Sequence, residues 1–407
     1  MPLPNFKTAT FVLFVVVTVN LIGFGIVIPL LPFYGQHYGA TPDEVALLLA
    51  VYSGTQFVTA PLWGWASDRY GRRPILIVSL AGTLVSYLWL AYAPDLAQLF
   101  WSRALAGIMA GSISGAFAYM ADITDESNRA RGMGMIGAAF GLGFIAGPAI
   151  GGLLAGADPQ TTDYRLPAFA AVAFSAAAFI LCLALLKESL PPEIRRERAQ
   201  RSAAVRRHEY WSTLGRADVR LILVLTFIAV FAFAGLEAVF ALWTERTYGW
   251  GVLQNGYVFA FLGVISALIQ GGLIGRLTKR FGDAGMVRQG FLALAVGLAA
   301  IPFATNLPLL LCALVIATYG FSVSTPALNS LLTLSAPAAT IGGVIGFGRS
   351  ASTLARAFGP AFAGYVFTLF GKDWPFFAGA LILVVVLALS SRLIADSSGQ
   401  AKSPVNK

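Results

Sequence analysis

Long uncharged apolar stretches alternate along this chain with short polar ones. Windows 8–42, 45–67, 132–157, 166–186, 247–275 and 374–391 contain no Asp, Glu, Lys or Arg. Others are interrupted only lightly: 96–121 holds Arg103 alone, 221–244 holds Glu237 alone, and 345–370 holds Arg349 and Arg356. A helix of about 20 apolar residues crosses the ~30 Å hydrocarbon core of a bilayer. The uncharged stretch 289–348 is too long for one crossing, and Asn306-Leu307-Pro308 favours a turn inside it. With 75–93 added, the pattern predicts an all-α membrane protein of twelve transmembrane helices.

Composition agrees. The 407 residues are 57% hydrophobic and 12% charged, against roughly 25% charged in a soluble domain. A soluble enzyme and a disordered chain are both excluded. The net charge of +9 raises the question of nucleic acid, and its distribution answers it. With the N-terminus inside, the inner segments hold 22 of the 28 Lys and Arg, and the outer loops hold Arg165, Arg246 and Lys372. That is the positive-inside pattern, with both termini in the cytoplasm. The charge is a topology signal, and no nucleic-acid partner is expected.

The densest charge run falls between the sixth and seventh spans, so the expected organisation is a six-helix bundle at 1–187, a cytoplasmic linker at 188–218 and a second bundle at 219–407. The halves repeat weakly. Gly64, Arg69 and Gly71 match Gly275, Arg280 and Gly282 at an offset of 211, and Gly147-Pro148 matches Gly359-Pro360 at 212. Two landmarks at nearly one offset indicate duplication into pseudo-symmetric bundles, an arrangement that places a substrate path between them.

These residues resemble the major facilitator superfamily. Gly64-Trp-Ala-Ser-Asp68-Arg69-Tyr-Gly71-Arg72-Arg73-Pro74 looks like its signature loop between spans two and three, and Leu99-Phe-Trp-Ser-Arg103-Ala-Leu-Ala-Gly107 like its fourth-span Arg motif. Gly143-Phe-Ile-Ala-Gly147-Pro148-Ala-Ile-Gly151-Gly152 is similar to the motif of the family's antiporters. With Asp122 and Arg129 following, the pattern most resembles the bacterial tetracycline-efflux branch. The resemblance implies the major facilitator fold, and a secondary transporter in a bacterial inner membrane that exports lipophilic, drug-like molecules in exchange for protons. It also departs from that branch, whose pumps carry acidic residues in spans one, three and nine. Asn20 and Ser86 stand at the first two positions, and the ninth span is uncharged. Gln56 matches a polar residue of the family.

The residues support separate roles. Asp68, Arg69, Arg72, Asp122 and Arg129 lie at the cytoplasmic boundary and form a candidate gate, with Asp68 and Asp122 expected to pair with Arg72 and Arg129 in one of two states. Retention of topology by Arg alone is the plainer reading. Gly143, Gly147, Gly151 and Gly152 let another helix approach closely, and Pro148 bends the span. A charge inside a bilayer costs upward of about 2.5 kcal/mol, which marks it as a functional candidate. Arg103 is a candidate for proton coupling, with Asp122 at the boundary, or a structural Arg that bonds carbonyls. Glu237 suits a proton-loading carboxyl, a contact for a cationic substrate, or a partner for Arg356. Arg356 also suits an anionic substrate. Asn20, Gln56, Phe231, Phe233 and Phe240 complete the candidate substrate residues, using apolar area and cation–π contact. The aromatics suit plain packing equally well.

No cofactor and no metal is expected, because Cys182 and Cys312 both lie in apolar runs as packing residues and the chain has two His. The expected partners are a small-molecule substrate, protons and the bilayer, with the chain acting as a monomer. Uptake of a sugar or amino acid by the same fold is the rival. A membrane enzyme or sensor is disfavoured, since the sequence has no paired His, phosphate loop or acyl-transfer Ser elbow.

Overall fold

The computed structural model describes residues 6–124, 126–156, 162–190, 215–335 and 341–400. All regular structure among them is helical. The chain runs through α1 (Phe6–His37), α2 (Pro42–Tyr70), α3 (Arg72–Ala91), α4 (Leu96–Ile108), α5 (Gly111–Ile123), α6 (Glu126–Ala155) and α7 (Arg165–Leu185). It continues through α8 (Ala217–Tyr248), α9 (Val252–Leu268), α10 (Ile274–Ala300), α11 (Leu307–Leu334), α12 (Ile341–Phe370) and α13 (Trp374–Gln400). A π-turn, Ile269–Leu273, joins α9 to α10, and a 3-10 turn, Ile301–Phe303, follows α10. Most of the expected linker, 191–214, lies outside the described residues.

Nine described stretches are long and apolar enough to cross a bilayer. One of them, Val252–Phe303, has 52 residues, about 78 Å as a helix and so far more than one crossing. It breaks at Gly282, where φ is +65°. With α12 and α13 the helices are consistent with twelve spans. Gly282 closes the repeated motif just as Gly71 does, and Gly71 has φ +108°. Both positions need a backbone that a Cβ would strain, which explains why glycine recurs at the end of each copy.

The helix starts follow local chemistry. Thr41 and Glu44 form a capping box at α2, with Pro42 at its first turn. Asp95 accepts from the Gln98 N–H at 2.8 Å to cap α4, and Asn306 accepts from Leu309 at 3.0 Å to cap α11. The turn expected at Asn306-Leu307-Pro308 therefore falls at a capped helix start.

The stretch 96–121, expected as one span, is two 13-residue helices. The break at Met109–Ala110 frees backbone carbonyls, which hydrocarbon cannot satisfy. Side chains of neighbouring helices take them: Trp63 Nε1 donates to the Ile108 carbonyl and Ser79 to that of Met109.

The described helices fall into two compact units. One is made of α1–α7 with Phe240–Val264, and the other of α8 up to Val239 with the helices from Ile265 onward. In the first unit a core around Leu13, Tyr119 and Ile136 occupies one end, and a second around Leu30, Tyr34 and Tyr87 the other. Between them α6 crosses α1 through glycines. A Cβ on Gly143 would lie 2.5 Å from Leu21 Cβ, one on Gly147 2.6 Å from Gly25 Cα, and one on Gly151 2.7 Å from the Ile26 oxygen. Gly152 turns to a different neighbour, Leu253 at 3.1 Å. The second unit uses the same device, with a Cβ on Gly359 of α12 falling 2.4 Å from the Phe231 oxygen of α8, beside Gly235. Cys182 is buried as expected. Cys312 is exposed, contrary to expectation: an apolar span tolerates a thiol on an accessible face without packing it.

Candidate functional site

Three polar constellations stand out from the apolar helices. The first surrounds Arg72, the opening residue of α3. Its side chain is only 5% exposed, and Nη2 lies 2.8 Å from Asp68 Oδ1 while Nε lies 2.8 Å from Asp122 Oδ2. Nη1 donates to Ser67 Oγ at 2.9 Å. The guanidinium fork thus ties together the ends of α2, α3 and α5, a bidentate geometry that Arg provides and Lys cannot. Both acids expected in the gate meet at this one cation. Arg69 stands apart, over the Trp65 ring at 5.4 Å. Arg129 lies on α6, and its side chain is outside the described residues.

Glu188 joins this constellation and was not singled out from the sequence. Gly71 has no side chain with which to cap α3. The Glu188 carboxylate accepts instead from the Arg72 and Arg73 backbone N–H groups at 2.9 and 3.2 Å, and from Ser189 and Leu190 at 3.0 Å each. An anion at a helix N-terminus is favourable. The only sequence signal was a helix start lacking its own cap. Glu188→Ala is expected to lower stability by about 0.5–2 kcal/mol, as loss of an N-cap does, in thermal unfolding of the purified protein. An unchanged midpoint would remove the cap role.

The second constellation surrounds Arg103 on α4. It is 2% exposed, its guanidinium lies 4.7 Å from the centre of the Tyr52 ring, and its Nε donates to no acceptor among the described residues. Beside it is a narrow cavity lined by Asn20, Phe24, Tyr52, Thr83 and Tyr87, with room for about one water molecule. Asn20 Oδ1 is buried there without a donor among the described residues. Gln56 is one turn along α2 from Tyr52 and does not line the cavity. Tyr52 and Tyr87 were missed from the sequence, where a Tyr inside an apolar run looks like packing.

The third lies in the second unit. Glu237 Oε2 of α8 meets Arg356 Nη1 of α12 at 3.0 Å, with the side chains 22% and 39% exposed. The pair sits within a turn of the Gly235–Gly359 contact. Phe231 packs against Phe227 and Phe362, and Phe233 stacks on Phe321 with centroids 4.0 Å apart. Phe231 also lines a second narrow cavity with Gly235, Phe362 and Phe376, and Glu237 does not. Phe240 is 1% exposed, edge-on to Phe259, and belongs to the other unit. The structure thus brings Glu237 to Arg356 and does not gather the three aromatics around Glu237. No group of three His, Cys, Asp or Glu suited to a metal occurs among the described residues.

Apolar helices of spanning length, tied by a few charges, define a multi-pass membrane protein. The chain belongs to the Major Facilitator Superfamily, whose model matches residues 13–360 and 272–407. It is 30% identical over 387 residues to the tetracycline resistance protein, class C, of Escherichia coli, covering 94% of this chain and 96% of that one. It is 29% identical to multidrug resistance protein 2 of Bacillus subtilis, covering 94% of each. Among solved structures, the human organic anion transporter MFSD10 (TETRAN) matches with a TM-score of 0.72 at 26% identity, over 95% of this chain and 99% of that one. An inward-facing bacterial homolog of the human lysosomal transporter Spinster, at 15% identity and TM-score 0.80, covering 96% of this chain and 98% of that one, shares the fold. These relatives are transporters, not enzymes.

Proposed function

We propose that this chain exports lipophilic, drug-like molecules across a bacterial inner membrane in exchange for protons, by alternating access, with both termini in the cytoplasm. The observation that carries the reading is the Arg72 cluster. A buried guanidinium held by two carboxylates at the end of three helices stabilises one arrangement of them, and the opposing arrangement is reached by breaking those bonds. The end-to-end similarity to tetracycline and multidrug resistance proteins supports drugs as cargo. The close glycine crossing of α1 and α6 falls on the motif that resembles the antiporters'. Glu237 and Arg356 act on the substrate: each is partly exposed and already satisfied by the other, so a charged substrate exchanges one contact for another.

Purified protein in liposomes, oriented as in the cell and given an inward proton gradient, is expected to move tetracycline outward from the cytoplasmic side. Accumulation on that side would reject export. Glu237→Gln in the same assay is expected to raise KM several-fold while the gradient still drives transport. Loss of the gradient's drive would instead give Glu237 the proton. A second reading, carriage of an organic anion, is favoured by Arg103, a buried cation whose Nε lacks an acceptor among the described residues. Gradient-driven export of carboxyfluorescein rather than tetracycline would establish it.

A further inference from the structure

We infer that Glu245 is the proton-binding carboxyl of this chain. The inference rests on the reading of proton exchange and assigns its carrier. Glu237 and Glu245 are both on α8, eight residues and so about 12 Å apart. Their surroundings differ. Glu237 faces Arg356 at 3.0 Å. Glu245 Oε2 is buried and accepts no hydrogen bond among the described residues. An ionised oxygen buried without a donor is costly. Taking a proton removes the charge and turns the group into a donor, and giving the proton back regenerates the carboxylate.

Several polar groups in this region have partners of their own. The neighbouring Thr244 hydroxyl is bonded to Asn255 Oδ1 at 2.9 Å, and the Asn255 amide donates to the Gly251 carbonyl. On α1, the Tyr34 and Tyr38 hydroxyls donate to carbonyls of Leu90 and Ala93. Asp163 accepts from the Arg165 and Leu166 backbone at the start of α7. Arg246 and Tyr248 follow on α8, with Tyr248 stacked on Trp250. Tyr164 is the near neighbour: burial, and then the Glu245 carboxylate, push its phenol up from the ordinary value. The Tyr164 ring is stacked on Tyr34 at 5.2 Å and lies 5.3 Å from the ring of His37, which is exposed. The exposed His37 ring and the half-buried Tyr164 ring thus belong to one aromatic cluster.

The location fits the direction of exchange. Tyr34 reaches the Leu90 and Ala93 carbonyls at the C-terminal end of α3, whereas Arg72 begins that 20-residue helix. Glu245 is therefore at the end of its unit remote from the Arg72 cluster, which is the outer end under the proposed topology. A proton can be loaded there while the cytoplasmic end is held shut.

The first test needs no substrate. Dicyclohexylcarbodiimide reacts with protonated carboxyls in apolar surroundings. Wild-type protein in liposomes, treated with it and read by peptide mass, is expected to be labelled at Glu245 several-fold more than at Glu237, with labelling rising as pH falls. Label on Glu237 with none on Glu245, or Glu245 labelling that does not depend on pH, would overturn the inference. The Glu245→Gln variant is expected to lose gradient-driven transport of tetracycline and keep tetracycline exchange at equal pH, which also shows that it is folded. Retained gradient drive in that variant would overturn the inference while leaving proton exchange intact. A wild type that ignores the gradient yet labels at Glu245 would sink proton exchange instead.

Discussion

Arg72→Ala is expected to destabilise the protein by about 3–5 kcal/mol, the range for removing one partner of a buried ion pair, and to abolish transport. The guanidinium makes three side-chain contacts, to Asp68, Asp122 and Ser67. Asp122 is the one that matters most, since its side chain is 8% exposed and stays in the protein interior with the cation gone. Asp68 is 36% exposed and can turn to solvent. Arg72→Lys keeps the charge and is expected to rescue only part of the loss, because one ammonium cannot reach both carboxylates in the fork geometry. Thermal unfolding in detergent ranks the three proteins. Arg72→Ala melting with the wild type would mean that the cluster holds nothing together.

Gly147→Val is expected to be nearly as damaging, for a reason independent of charge. A Cβ there would lie 2.6 Å from Gly25 Cα, 2.7 Å from Gly25 C and 2.8 Å from the Ile22 oxygen. All three are backbone atoms of α1, so no side chain can swing aside, and the helices must separate. Overpacking costs typically about 1–3 kcal/mol, and more where backbone has to move. Gly137→Ala on the same helix is the control. Nothing lies within 4 Å of its Cβ position, and alanine is about 1 kcal/mol better than glycine in a helix. Membrane yield and unfolding midpoint should fall for Gly147→Val and hold or rise for Gly137→Ala. Equal behaviour of the two would show that the α1–α6 crossing tolerates separation.

Much of the fold was legible in the chain. The spans follow from uncharged windows, and the break before α11 from Asn306 and Pro308. The repeat at offset 211 reappears as two glycines, Gly71 and Gly282, with positive φ. The repeat at offset 212 reappears as two crossings, Gly147 on Gly25 and Gly359 beside Gly235, although Gly25 and Gly235 had carried no signal. The break in α4–α5 was not legible. The segment 96–121 is apolar on both sides of the break apart from Arg103, and the acceptors it frees are satisfied by Trp63 and Ser79 from elsewhere in the chain.

What the sequence by itself determined is the number, length and apolar character of the crossings, because hydrocarbon accepts only helices of about 20 residues with their backbone bonds closed. It also determined the short roster of charges able to do chemistry, because a charge in that medium is costly to keep. Only the tertiary structure decided how those charges are matched. Asp68 and Asp122 share Arg72, Glu188 caps a helix that begins 116 residues earlier, Glu237 faces Arg356, and Glu245 Oε2 meets no donor among the described residues. The reason is geometric: a partner is set by which helix faces meet and how closely the glycines let them approach, and neither is written in the spacing of residues along one helix.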